Sequence, residues 1–202
     1  MQLIIGTKNL AKIHQLKGAL EPLALDIQGL PDDNFPEVKE DGATALENAR
    51  KKALAYSSVL GQPVLSMDNA LYLEGLSAED QPGLNVRHIS GRLDRPTDAE
   101  LLEYYTKLIA SLGGRVDAYW EYGFCLAYPD GQIKETILKA PRLFVSQPSQ
   151  KVIAGYPLES IQINPATGQY IAEMTLAEQD IFWQEMIGKD LSVFIKENLI
   201  ID

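Results

Sequence analysis

Residues 1–12 read MQLIIGTKNLAK. The apolar run Leu3-Ile4-Ile5 stops at Gly6, passes through Thr7-Lys8-Asn9, and enters a pattern at helical spacing: Leu10, Ile13, Leu16 and Leu20. The reading is a buried strand over 2–6 and a helix over 9–20. A strand that hands over to a helix through small polar residues exposes backbone N–H groups at the positive end of the helix dipole, which suits an anion such as phosphate. Thr7 and Asn9 add side-chain donors, and Lys12, one turn in, can reach back to the same anion. The plainer reading of these residues is an N-cap followed by a solvated lysine.

Two further stretches bear on that choice. In KEDGATALENARKKA, 39–53, Glu40 and Asp41 sit in a loop before a helix over 43–60, which Gly61 and Pro63 end. Thr44, Asn48 and Lys52 recur every four residues and so share one helical face. That face either lines a charged cleft or is merely solvated. In SMDNAL, 66–71, Asp68 interrupts an apolar strand. A carboxylate between apolar runs is paired, metal-bound or at a strand end near water. Asp68-Asn69 also has turn character, so a polar break at this point, between two apolar pieces within 63–76, is the expectation.

The rest of the chain alternates helices and strands. A second strand is expected over 23–30, and a loop over 31–42, where Pro31 and Pro36 fall. A long loop follows over 77–95. Thr97 and Glu100 form a capping box for a helix to about 112. Residues 116–128 and 132–145, joined by Pro129-Asp130-Gly131, read as an antiparallel hairpin. A short strand lies near SIQIN, 160–164, and Thr175 with Glu178 caps a final helix to Asn198. The class is α/β with a mixed sheet.

The 202 residues fit one domain with two lobes. Net charge is −10, which argues against a nucleic-acid or anionic-membrane partner, since both need a basic face. A small phosphorylated ligand is compatible with it, because a cleft can be locally positive. No apolar stretch approaches the length of a membrane span. One cysteine, Cys125, builds neither a disulfide framework nor a cysteine-based zinc site, and reads as a core thiol in a reducing cytoplasm.

With these residues in view, the chain resembles the inosine triphosphate pyrophosphatase family. GTKNLAK is similar to its opening T-x-N-x-x-K, and EDGATALENARKKA to its E-x-G-x-T-x-x-E-N-A-x-x-K-A. SMDNAL, PGLNVRHISG and IAEMTLAEQ follow at matching spacing. The resemblance implies an elongated two-lobed α/β fold, with a long mixed β-sheet flanked by helices and a central cleft. It implies a homodimer that cleaves nucleoside triphosphates with Mg²⁺ to monophosphate and pyrophosphate. By position, Thr7, Asn9, Lys12 and Lys52 would bind the triphosphate, and Asn48, on the same helical face as Lys52, is expected to bind substrate with them. Glu40 would bind metal, and Asp68 would bind metal or activate water, with Lys12 assisting.

The chain also departs from the family pattern. Met67 stands for the first Asp of D-D-S-G-L, and Asn69-Ala70 for its Ser-Gly. S-A-R reads Val86-Arg87-His88, with the arginine displaced by one. F-G-Y-D-P reads Ala154-Gly155-Tyr156-Pro157, and S-H-R falls near Trp183-Gln184-Glu185. Tyr156, Trp183 and Glu185 would then face the base. Exchanging donors for the acceptor-only Glu185 would disfavour a 6-keto purine. Two functions follow: a pyrophosphatase with altered base preference, or a weak or inactive nucleotide-binding protein of the same fold that lacks one carboxylate.

Overall fold

The computed structural model describes residues 2–31, 35–89 and 94–199. Parts of the expected loops at 31–42 and 77–95, including the last two residues of PGLNVRHISG, lie outside the described residues. The described chain forms an α/β fold around one six-stranded mixed sheet in the order β2-β1-β3-β4-β5-β6. The strands are β1 (Gln2–Ile5), β2 (Asp26–Gln28), β3 (Val64–Leu73), β4 (Arg115–Ala127), β5 (Ile133–Val145) and β6 (Gln162–Ile163). The helices are α1 (Leu10–Leu20), α2 (Ala45–Leu60), α3 (Asp98–Ser111), α4 (Leu176–Trp183) and α5 (Lys189–Asn198). β1 pairs in parallel with β2 and β3, as a strand–helix–strand connection requires. β5 pairs antiparallel with β6.

Chain contacts divide the molecule into two units, the first comprising Met1–Asn69, Glu121–Ala140 and Glu178–Asp202. Its core gathers Ile4, Tyr56 and Val64 in one cluster and Ala49, Ala53, Cys125 and Ala127 in another. The alanines of α2 keep that helix close to β4. At Gly123 an added Cβ would stand 2.4 Å from the Leu46 nitrogen, so only glycine admits the first turn of α2 at that distance.

The second unit comprises Ala70–Trp120 and Pro141–Ala177. Leu71, Leu73, Leu101, Tyr105, Ile109 and Phe144 form its core. The Tyr105 hydroxyl donates to the Val86 carbonyl at 3.1 Å, which satisfies the one polar atom of a buried ring. Thr97 and Glu100 make both bonds of the expected capping box on α3.

Several elements differ from the sequence reading. β3 runs unbroken from Val64 to Leu73, so Asp68-Asn69 makes no turn; the ion pairs described below let a carboxylate sit mid-strand. The second strand shrinks to Asp26–Gln28, because a 3₁₀ turn over Glu21–Leu23, with Pro22 at its second position, runs up to Ala24 with φ 50°. The short strand near SIQIN keeps only Gln162–Ile163, after a 3₁₀ helix over Pro157–Ile161. The final helix is interrupted by a π turn over Gln184–Gly188. Leu10, expected in the core, is 80% exposed. The buried stripe of α1 runs through Leu16, Ala19 and Leu20, and Leu10 lies on its far side.

Candidate active site

The site is built in the first unit from one strand, two helices and a loop. Along β3, successive side chains face opposite sides. Asp68 therefore shares a face with Ser66, while Met67 turns the other way into the core, 1% exposed. A carboxylate at position 67 would point away from Asp68's surroundings. The substitution removes nothing from the face that Asp68 occupies.

Thr7 and Asn9 shape the start of α1. Thr7 Oγ1 accepts the Asn9 N–H at 3.1 Å. Asn9 Oδ1 caps the helix by accepting the N–H groups of Ala11 at 3.0 Å and Lys12 at 3.3 Å. The cap sets the helix in a phase that places Lys12 one turn before Leu16, on the buried stripe. Its ammonium donates to Asp68 Oδ1 at 3.3 Å.

α2 repeats this device. Thr44 caps it by accepting the Glu47 N–H at 3.1 Å. The buried stripe then reads Ala45, Asn48, Ala49, Lys52, Ala53 and Tyr56. Asn48 and Lys52 are 3% and 6% exposed, so the face they share is not solvated. Lys52 Nζ lies 3.6 Å from Asp68 Oδ1 and 3.1 Å from Glu40 Oε1. Two ammonium groups from two helices thus meet one carboxylate oxygen of a core strand, and a half-exposed loop carboxylate joins them. The other Asp68 oxygen accepts from Asn48 Nδ2 at 3.1 Å.

Burial holds the Lys12 ammonium below the usual lysine range; Lys52 adds to the shift, and Asp68 opposes it. Taking two cations out of water is costly unless anions face them. The cluster is near neutrality, so an incoming polyanion meets donors whose charge is balanced only by carboxylates. Asp41 stands apart: it is exposed, and Lys51 first, then Lys39, hold its carboxyl down at about 2.

The remaining sequence candidates lie elsewhere. Trp183 ends α4, its ring set edge-on to Tyr122 with centroids 6.4 Å apart. Tyr122 also accepts a bond from Gln15 Nε2 at 3.4 Å, a contact across 107 positions that no local pattern reveals. Glu185 is exposed on the π turn. Tyr156 belongs to the second unit, just before the 3₁₀ helix Pro157–Ile161. There, Arg87 donates to the Gly155 carbonyl and lies 3.6 Å from Asp98, whose carboxylate accepts the Gly155 N–H at 2.5 Å. The displaced arginine is thus tied to the turn that carries Tyr156, while His88 is exposed. Among the described residues no group of three His, Cys, Asp or Glu side chains is placed to hold a metal ion alone, and no helix is long and apolar enough to cross a membrane.

A dITP/XTP pyrophosphatase of Thermus thermophilus is 32% identical over 187 residues, covering 89% of this chain and 84% of that protein. In fold, the chain is similar to a HAM1 protein from Coxiella burnetii, with a TM-score of 0.73 at 20% identity over 98% of this chain and 99% of that one. A Ham1 protein from Staphylococcus aureus gives a TM-score of 0.68, also at 20% identity, covering 98% and 99% of the two chains. The model of the Ham1 family matches residues 3–182, and the chain belongs to that family.

Proposed function

We propose that this protein hydrolyses nucleoside triphosphates to the monophosphate and pyrophosphate. The observation that carries the reading is the convergence of Lys12 and Lys52 on Asp68 Oδ1. Relatives named dITP/XTP pyrophosphatases support the same class of reaction. The triphosphate lies at the start of α1, against Thr7, Asn9, Lys12 and Lys52. Asp68 Oδ1 accepts a proton from water, and the water oxygen bonds to a phosphorus of the triphosphate. The bridging P–O bond breaks, and pyrophosphate leaves with the electron pair. The two ammonium groups neutralise charge that grows on the phosphate oxygens.

Glu40 and Asp68 fit a divalent cation, Mg²⁺ in this reading. They share the Lys52 ammonium, while Lys12 also faces Asp68, and with both ammonium groups turned to phosphate the two carboxylates would offer hard oxygen ligands. Mg²⁺ is usually held by one or two carboxylates together with substrate phosphates and water. When bound, it withdraws charge from the phosphate oxygens. Trp183 and Glu185, in the same unit as the lysine–carboxylate cluster, are the groups proposed to read the base, with preference shifted away from 6-keto purines because Glu185 can only accept hydrogen bonds. A cytoplasmic homodimer completes the reading; light scattering tests the assembly.

The alternative of an inactive binding protein rests on Met67, and the burial of Met67 away from Asp68 weighs against it. The test is incubation with a panel of deoxy- and ribonucleoside triphosphates, dITP and XTP included, with Mg²⁺. Pyrophosphate release from at least one is expected. Silence across the panel at high enzyme concentration ends the proposal.

A further inference from the structure

Asn48 uses both ends of its amide within the protein. Oδ1 accepts the Gly42 N–H at 2.8 Å, and Nδ2 donates to Asp68 Oδ2 at 3.1 Å. The amide has one allowed orientation, because a flip would aim NH₂ at an N–H and a carbonyl oxygen at a carboxylate. Gly42 is drawn hard against α2. A Cβ there would lie 2.7 Å from Asn48 Oδ1 and 2.8 Å from Glu47 Cβ. Gly42 is two residues from Glu40, so one buried side chain ties the strand carboxylate to the loop that presents the other carboxylate.

The sequence pattern put Asn48 among the substrate-binding groups. We infer instead that Asn48 is a positioning residue: by taking Oδ2 it leaves Oδ1 of Asp68 as the oxygen offered to the lysines and to water, and by holding Gly42 it keeps Glu40 within reach of Lys52. A carboxylate turns easily about its last bond, a broad two-fold torsion. Without the Nδ2 donor its oxygens become interchangeable, and its direction is set only by the two ammonium groups. The contribution falls on turnover rather than on affinity, since the side chain is buried and each end of its amide already holds a partner within the protein.

This inference rests on the role given to Asp68 in the proposed reaction. Its test is steady-state kinetics of Asn48→Ala, Asn48→Asp and Gly42→Ala on the best triphosphate of the panel, with circular dichroism as the folding control. Asn48→Ala is expected to lower kcat by about 10–100-fold, the scale of a misplacement of about 1 Å, with KM within about threefold. Asn48→Asp keeps the shape but sets a second carboxylate against Asp68, and should lose at least as much. Gly42→Ala strains the same bond from the loop side, so it should show the same kcat-selective loss even if Asn48→Ala fails to fold. A merely structural role would lower the folded fraction and leave kcat per folded molecule unchanged, which overturns the inference. So does a rise in KM at constant kcat, the mark of a substrate-binding group. An inert wild type overturns the reaction and this inference with it; an active wild type whose variants keep kcat overturns the inference alone.

Discussion

Lys12 Nζ stands 3.3 Å from Asp68 Oδ1, and that oxygen also faces Lys52 at 3.6 Å. One carboxylate on a core strand therefore faces two ammonium groups from separate helices, and Glu40 supplies the second negative charge. Asp68→Asn leaves the shape intact but removes the charge and the proton acceptor. Pyrophosphate release should fall about 10²–10⁴-fold, the usual range for a lost general base, while triphosphate binding is largely spared. Without ligand the variant should melt earlier, since breaking a buried pair costs about 3–5 kcal/mol. Added triphosphate should raise its melting temperature more than that of the wild type. Near-full activity in Asp68→Asn would remove the residue from the role given to it.

The two lysines should not be equivalent. Lys52 is the more deeply placed and also reaches Glu40 at 3.1 Å, so Lys52→Ala leaves both carboxylates short of a partner. Lys12→Ala removes a cation whose protonated form burial and Lys52 already disfavour. Both changes should raise KM for the triphosphate by at least about tenfold, each deleting one charged hydrogen bond of about 1.5–3 kcal/mol. Lys52→Ala should also lower the unliganded melting temperature more. Equal melting temperatures for the two variants would contradict the ranking.

The strand–helix opening and the capping box of α3 were legible because each is a local signal. Polarity on apolar stripes left two readings open. Asn48 and Lys52 share a helical face that lines a charged cleft or is solvated as far as the sequence tells, and only the packed structure shows that their partner is Asp68, sixteen to twenty positions away. The same pairing explains β3: Asp-Asn signals a turn until two cations and an amide make a mid-strand carboxylate tolerable. The π turn at 184–188 was equally hidden, since it answers a tertiary contact. A Cβ on Gly188 would lie 2.4 Å from the Ala19 carbonyl oxygen of α1.

Glu159 gives the molecule a pH dependence unrelated to the site. Burial pushes its carboxyl up to about 7 from 4.5, against the pull of Arg142 and Lys151. The folded state therefore holds this proton more tightly than the unfolded chain. Below about 4.5 both states are protonated and the group is neutral to stability. As pH rises towards about 7 stability falls, reaching a penalty on the order of 3 kcal/mol above that value. Glu159→Gln removes the dependence. Urea denaturation should show it matching the wild type near pH 4 and exceeding it at pH 8; a constant difference across that range would place the titration elsewhere.

Gly123 ties the stability of the first unit to the chemistry proposed for it. A Cβ at this position would meet Leu46 N at 2.4 Å, Leu46 Cα at 2.5 Å and Ala45 C at 2.7 Å. All three are backbone atoms, so no rotamer change relieves the overlap, and Gly123→Ala must push the first turn of α2 off β4. Overpacking of this kind costs about 1–3 kcal/mol. The same displacement carries Asn48 and Lys52 with the helix, away from Asp68, so kcat should fall even well below the melting temperature. Gly131→Ala is the control: nothing lies within 4 Å of its added Cβ, and its φ of 85° imposes only backbone strain at the hairpin tip, about 1–2 kcal/mol. It should lose stability without losing kcat. If the two variants lose stability alike and keep the same kcat, the seating of α2 on β4 does not govern the lysine–carboxylate geometry.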